Sequence, residues 1–346
     1  MIDLKLLAST QARNIVKRFS QNYLTGKPFI ASLLVTEACQ ADCDFCSYRR
    51  SNTALERTKP VGSYVEALAP LNLPFLSIVG GEPLMRKDLA RIIAEAKQES
   101  GIPYVHVVTN GGMLSAVRYN ELEEAGLDEL VISLDFASDA HSRERGIKRL
   151  YGQIDAILPK LRGKTRVRLN AILMRDNLIT NNEGGDHAGD VQGIVDFARR
   201  HGVTVSFGAY SANRNHNDVH MPQQADGEAL QNTLDYLIQA KTESDTIVSS
   251  SEYLQKAVEF LKGNHIRNCQ AGKRFLWIGS DGKYMPCNDY PQYTYKTLEE
   301  AKNFHIAKTC TACYAECRGL PEQLSSPNLI KVAKLGASFS QMLAKE

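Results

Sequence analysis

The chain has 346 residues, 43% hydrophobic and 23% charged, which suits one large globular domain or a barrel with a small appendage. A formal net charge of +2 supplies no basic field for nucleic-acid phosphates, so no nucleic-acid partner is expected. No apolar run reaches the roughly 18 residues that cross a bilayer, and Lys5, Arg13, Lys17 and Arg18 interrupt any signal-peptide core, so the expected compartment is the cytoplasm.

Residues 1–27 read as an N-terminal helix that sets Leu4, Leu7, Ile15, Val16 and Phe19 beside Arg13, Lys17 and Arg18. From residue 28 the pattern becomes short β-rich runs at 29–36, 75–79, 104–109, 129–134, 166–173 and 203–208. Helical patterns separate them, at 88–100, 115–125, 151–161 and 191–201. Such repeats predict parallel strands joined by right-handed crossovers. The expected fold is therefore α/β, a partial (β/α)6 TIM-like barrel over 28–224, with an open doubly wound sheet as the alternative. A barrel places its chemistry on the loops at the C-terminal ends of its strands.

The polar stretches 177–189 and 211–224 read as surface loops. Helices at 226–241 and 251–262 fill a connecting segment, 225–265. A small C-terminal extension, 266–320, holds a hairpin of 275–278 and 283–285 about Ser280-Asp281-Gly282. Residues 321–346 end in a helix over 326–343, with Leu329, Ile330, Val332, Ala333, Leu335, Phe339, Met342 and Leu343 among Lys331, Lys334 and Lys345. Basic amphipathic helices at both ends can lie on an anionic membrane surface, or pack their apolar stripes on the barrel; packing is the reading adopted.

The cysteines are placed unevenly. Of eight, Cys39, Cys43 and Cys46 share one short loop, and Cys269, Cys287, Cys310, Cys313 and Cys317 lie near the C-terminus. Without a secretion signal such groupings point to metal sites rather than disulfides. Three thiolates at this spacing can hold a [4Fe–4S] cube and leave one iron open. Half of a zinc site is the alternative. The C-terminal five exceed the four that a tetrahedral site needs, and a zinc ribbon fits their spacing too. Gly80-Gly81-Glu82-Pro83 closes the second strand, where glycines let backbone approach a ligand and a carboxylate or carbonyl can face an ammonium.

The three-cysteine loop, with aromatic Phe45 before its last cysteine, resembles the signature of the radical S-adenosylmethionine (SAM) superfamily. Gly80-Gly81-Glu82-Pro83 resembles the family segment that hydrogen-bonds the methionine amino group of SAM. The resemblance implies an enzyme that cleaves SAM reductively to a 5′-deoxyadenosyl radical at a [4Fe–4S] cluster on Cys39, Cys43 and Cys46. A reducing partner such as flavodoxin or ferredoxin is implied with it. Thr109-Asn110-Gly111, Ser133-Leu134-Asp135, His141 and Arg145-Gly146 match the family pattern further. By resemblance, Ser133 and Arg145 contact the ribose or carboxylate of SAM and Asn110 lines the pocket, with Phe45, Gly80, Gly81, Glu82 and Pro83 as the other cofactor-binding residues. Asn170 and Tyr210 are read as facing the cavity.

The C-terminal region resembles the SPASM and twitch extensions of this superfamily, which hold auxiliary clusters. Five cysteines imply one auxiliary [4Fe–4S] cluster on Cys269, Cys287, Cys310 and Cys313, with Cys317 either the fourth ligand or a nearby free thiol. Catalytic residues stay unassigned, with Tyr210 and Cys317 as candidates. The order of motifs, and the segments Phe260-Leu261 to Gly263-Asn264 and Arg18-Phe19 to Gly26-Lys27-Pro28, resemble the hopanoid-pathway adenosyl-transferring subgroup. A small-molecule or lipid-pathway substrate is therefore expected. A maturase of ribosomally made peptides is the alternative, although only 28 residues precede the first strand. A non-catalytic iron–sulfur or zinc scaffold is the reading from another class.

Overall fold

The computed structural model describes residues 9–48, 60–180, 191–213 and 215–324. Its strands are β1 (Ile30–Leu34), β2 (Phe75–Val79), β3 (Tyr104–Thr109), β4 (Glu129–Ser133), β5 (Arg166–Leu173), β6 (Thr204–Ala209), β7 (Phe275–Ile278) and β8 (Tyr284–Met285). Its helices are α1 (Thr10–Thr25), α2 (Val65–Leu68), α3 (Leu89–Gln98), α4 (Ala116–Glu124), α5 (Asp139–Glu144), α6 (Leu150–Ile157), α7 (Val191–His201), α8 (Gly227–Glu243), α9 (Ser251–Leu261), α10 (Leu298–Lys302) and α11 (Glu316–Leu324). The expected helix over 326–343 and most of the loop over 177–189 lie outside the described residues.

β1 to β6 pair in parallel, each with the next in the chain, as βαβ crossovers require. β7 adds in parallel to the free edge of β1 and turns back into β8, so the sheet order is β6-β5-β4-β3-β2-β1-β7-β8. The result is the expected partial TIM-like barrel, with the hairpin of the C-terminal extension built into its sheet.

The period of two along the strands separates two faces. On β5, Leu169, Ala171 and Leu173 are buried, while Arg168, Asn170 and Ile172 on the other face remain partly accessible. β3 repeats this, with Val105 and Val107 buried and His106 and Val108 partly accessible. The accessible face lines a lumen. α11 touches β6 at one end of the barrel and β1 and β7 at the other, so it lies across the side that six strands leave open.

α1 starts at Ser9, whose side chain accepts from the amide of Ala12, and stops at Gly26, whose φ of 68° suits a left-handed cap. It packs Ile15 against Phe75 and Tyr104 at the N-terminal ends of β2 and β3. Arg18 donates to the carbonyls of Leu73 and Ser100. Asn22 donates to those of Pro28, Leu71 and Asn72. Asn177, read from the sequence as loop, is fully buried: it accepts from the Met174 amide and donates to the carbonyls of Asp135 and Ile172. Among the described residues no helix is long and apolar enough to cross a membrane.

Candidate functional site

The N-terminal cysteine loop leaves the C-terminal end of β1 and is fixed by backbone before any side chain acts. Gly81 donates to the carbonyl of Thr36 and Glu82 to that of Ala38, each at 2.8 Å. A Cβ on Gly80 would sit 2.9 Å from the Thr36 carbonyl oxygen, and one on Gly81 only 2.3 Å from that of Ala38. The reason for these glycines therefore differs from the sequence expectation. They admit the chain leading into Cys39, whether or not a ligand is also present.

Glu82 is fully buried and its carboxylate is engaged within the protein. Oε1 accepts from the Leu84 amide (3.0 Å) and the Thr109 hydroxyl (2.7 Å), and Oε2 from the Asn110 amide (2.7 Å). Burial pushes its carboxyl up while these three donors favour the charged form. Glu82 thus ties the ends of β2 and β3 together, and Pro83 starts the short turn Pro83–Met85 behind it. Asn110 reaches the cysteine loop: its Nδ2 lies 3.7 Å from the Cys39 sulfur and its Oδ1 accepts from Gln40 at 3.0 Å. The amides of Ala41 and Tyr48 point at the sulfurs of Cys39 and Cys46, both at 3.4 Å.

On the opposite side, Arg145 pairs with Asp135, its Nη2 2.5 Å from Oδ2, and its guanidinium lies 5.5 Å from the centre of the Phe45 ring. Its carbonyl accepts from the Asp42 amide. Gly146, with φ of 62°, comes so near that a Cβ would lie 2.9 Å from the Asp42 side chain. Asp135 is fully buried, and its Oδ1 accepts from the Ile172 amide while its own amide donates to Nδ1 of His141. Ser133 is in register with Asn170, and Asn170 with Ser206, whose hydroxyl donates to the Asn170 carboxamide at 2.8 Å. Below this rung Arg168 donates to Glu129 at 3.0 Å and to Ser206.

Tyr210 is held by its own loop, donating to the carbonyl of Asn217 and meeting His220 edge-on. His220 bridges two carboxylates, Nδ1 to Asp176 at 2.6 Å and Nε2 to Asp44 at 2.8 Å, and meets the edge of Phe45. Sequence reasoning named Asp135 only within the Ser133-Leu134-Asp135 match, without its pairing to Arg145, and missed His220 altogether. Nothing in its spacing marks His220, because its partners Asp44 and Asp176 lie 176 and 44 residues away in the chain.

The five C-terminal thiols surround the β7–β8 hairpin and the start of α11. Arg318, fully buried, holds the region together: it donates to the carbonyls of Cys313 (2.7 Å), Ile266 (2.6 Å) and Arg267 (3.0 Å) and pairs with Glu322. Cys317 packs with Cys269 and Cys287 against one buried cluster of Ala271, Phe275, Phe304 and Ala307, so it stands among the other thiols. The Cys310 sulfur lies 3.9 Å from the Tyr290 hydroxyl.

Burial pushes the Cys39 thiol up to about 11 and the Cys43 thiol up to about 12, against the pull of the Arg145 cation. In the C-terminal nest burial lifts Cys269 to about 11 and Cys317 to about 12, and raises Cys287 and Cys313 with the Asp289 carboxylate adding to it. Thiols held neutral in this way ionise when metal replaces the proton. Among the described residues no three cysteine sulfurs lie within 4.8 Å of one another. A single tetrahedral zinc with Zn–S near 2.3 Å would draw them to about 3.8 Å. A four-iron cube spreads its ligands more widely than a single ion does.

A family model described as the Radical SAM superfamily matches residues 33–178. The chain carries a radical SAM domain. Domains of this family use a [4Fe–4S] cluster and SAM. Here the domain runs from the end of β1 through β5 and takes in Cys39 to Cys46, Gly80 to Pro83, Asn110, Ser133 and Arg145, while the C-terminal cysteines lie beyond it.

GTP 3',8-cyclase of Lactiplantibacillus plantarum is 29% identical over 185 residues, which cover 51% of this chain and 52% of that protein. GTP 3',8-cyclase 1 of Pseudomonas aeruginosa is 30% identical over 185 residues, with the same shares. The chain spans about half the length of these relatives. Around its radical SAM domain the fold resembles Streptococcus suis SuiB bound to precursor peptide SuiA, with a TM-score of 0.59 at 17% identity over 85% of this chain and 69% of that one. It likewise resembles anSMEcpe with bound AdoMet, with a TM-score of 0.59 at 13% identity over 90% and 96%.

Proposed function

We propose that this chain is a radical SAM enzyme that holds one [4Fe–4S] cluster on Cys39, Cys43 and Cys46, a second in the C-terminal nest, and a small polar substrate in the barrel lumen. The observation that carries the first part is the cysteine loop itself. Three thiols are presented on backbone locked to Gly81 and Glu82, with amide and carboxamide N–H groups aimed at the sulfurs of Cys39 and Cys46. Such N–H···S contacts orient ligands and tune a cluster. When bound, cluster and SAM supply one-electron cleavage of a sulfonium C–S bond.

The residues divide the remaining work. With the Glu82 carboxylate engaged inward and the carbonyls of Glu82 and Pro83 accepting from the amides of Met85 and Arg86, an ammonium held by the Gly80–Pro83 turn would have to meet the backbone of Gly80 and Gly81. Arg145 places a cation beside Cys43 and Cys46 that offsets the negative charge of a thiolate-bound centre. Ser133 and Asn110 stand at the strand ends where a ribose and adenine would lie. The C-terminal nest, with five thiols clamped by Arg318, offers enough ligands for a complete second cube.

The lumen supports a small polar substrate. Arg168, Asn170, Ser206 and Glu129 form a hydrogen-bonded floor there, with Ser133 in register beside Asn170. A polyprenoid hydrocarbon placed on it would strip water from the partly accessible Arg168 and Asn170 and replace none of it, a desolvation cost of about 1–3 kcal/mol for each polar group whose remaining hydrogen-bonding capacity goes unmet. The small-molecule reading agrees with the GTP 3',8-cyclases that the chain resembles over about half their length. The likeness to a peptide-bound SuiB is one of fold only.

The test is anaerobic reconstitution. Wild-type protein should hold about eight irons, two four-iron cubes. Replacing Cys39, Cys43 and Cys46 together by Ala should leave about half of that. Reduced protein given SAM should release methionine and 5′-deoxyadenosine slowly without substrate, and Cys43→Ala should abolish the release. Zinc in the residual site, or undiminished release from Cys43→Ala, contradicts the proposal.

A further inference from the structure

The two cysteine nests are hundreds of residues apart in sequence, yet two separate bridges join their loops. The first is direct. Tyr48, two residues past Cys46, donates its hydroxyl at 3.2 Å to Oδ1 of Asn288, the neighbour of Cys287, across a separation of 240 residues. The Tyr48 ring is buried with Leu34 and Met285, and Cys46 and Trp277 pack on the same cluster. The second bridge is the loop after β6. Ser211 donates at 3.0 Å to the carbonyl of Ala312, between Cys310 and Cys313. Further along the same loop, Asn217 donates at 3.2 Å to the carbonyl of Asp44, and His220 holds the Asp44 carboxylate. Tyr210 ties the two halves of this strap through the Asn217 carbonyl.

We infer that Tyr48, Asn288 and Ser211 are positioning residues that couple the two nests, so that metal in one steadies the cysteine loop of the other. This rests on the reading of both nests as cluster sites. Each bridge ends within two residues of a candidate ligand at both of its poles: Cys46 and Cys287 for the first, Cys43 or Cys46 and Cys313 for the second. A loop ordered by its metal therefore presents its bridge group in a fixed place, and the opposite loop loses less freedom when it binds. Coupling of this kind is reciprocal by linkage, and between sites it commonly amounts to 5-fold or more. An unbridged pair of nests would bind independently.

The experiment measures the rate at which the C-terminal nest yields iron to a chelator, in full-length protein with the N-terminal nest loaded or emptied by replacing Cys39, Cys43 and Cys46 with Ala. With the bridges intact, loss should be at least on the order of 5-fold slower in the loaded protein. In Tyr48→Phe combined with Ser211→Ala, which keeps the buried ring and every thiol, the two rates should converge. A spectroscopic readout checks the same contact. Asn288→Ala should shift the paramagnetic resonance signal or midpoint potential of the N-terminal cluster, although the residue belongs to the other loop and reaches this one only through Tyr48. Equal rates in the bridged protein, a ratio that survives in the double variant, or an unmoved N-terminal signal in Asn288→Ala overturns the coupling. Four irons in the wild type would instead show that the two-cluster reading itself has failed.

Discussion

Glu82 shows how a motif residue can act without facing the ligand. Its three buried hydrogen bonds join the turn after β2 to the end of β3, so its loss acts on SAM through the backbone it positions. Glu82→Ala strands the Thr109 hydroxyl and the amides of Asn110 and Leu84, each buried orphan costing about 1–3 kcal/mol. Glu82→Gln keeps one accepting oxygen and opposes a donor to a donor at the other. Equilibrium binding of SAM should weaken strongly in Glu82→Ala and less in Glu82→Gln; equal affinities would remove this role. Arg318 is the counterpart in the C-terminal nest. Arg318→Met would leave the carbonyls of Cys313, Ile266 and Arg267 without their shared donor. The expected result is about four irons per chain in place of eight, with SAM cleavage by the N-terminal cluster retained.

At the level of elements, the site depends on how closely two loops approach. The turn after β2 lies against the chain leaving β1 at a distance that excludes a Cβ at position 81. Gly81→Ala must push the Ala38 carbonyl aside and carry Cys39 with it, whereas Gly152→Ala, in α6, meets no neighbouring atom within 4 Å. Overpacking of this kind costs about 1–3 kcal/mol. Reconstituted Gly81→Ala should therefore lose most of the N-terminal cluster while Gly152→Ala keeps it, as iron analysis and visible absorbance would report. The hairpin of β7 and β8 is a second case. By pairing with β1 and turning back, it sets Met285 against Leu34 and Tyr48 and brings Asn288 within reach of the Tyr48 hydroxyl.

In the molecule as a whole, two histidines contribute to the response to acid, His141 fully buried and His106 enclosed on the lumen face of β3. Burial lowers His106 to about 4 and His141 to about 3, from an ordinary value of 6.5. Both are neutral in the folded chain, and both take up a proton on unfolding below pH 6.5. Their contribution to stability is therefore complete above 6.5 and is lost as pH falls toward 4 and then 3. Calorimetry near pH 5 should find proton uptake on unfolding, reduced by about one proton in His106→Leu. An unchanged uptake in that variant would refute the assignment. The amino-acid sequence by itself determined the six strand–helix units, the two groups of cysteines and the turn at Gly80–Pro83, because these rest on local periodicity and short-range spacing. α1 was legible too, although only its packing of Ile15 on Phe75 and Tyr104 showed which surface it covers. Tertiary structure alone decided that Gly81 serves backbone approach, that Glu82 turns inward, that Arg145 pairs with Asp135, and that β7 joins β1. It also decided that Arg318, His220 and Tyr48 bind the cysteine loops together. Each of these depends on groups that the sequence keeps apart and the folded barrel brings within hydrogen-bond distance, and a contact of that kind leaves no periodic trace in the chain.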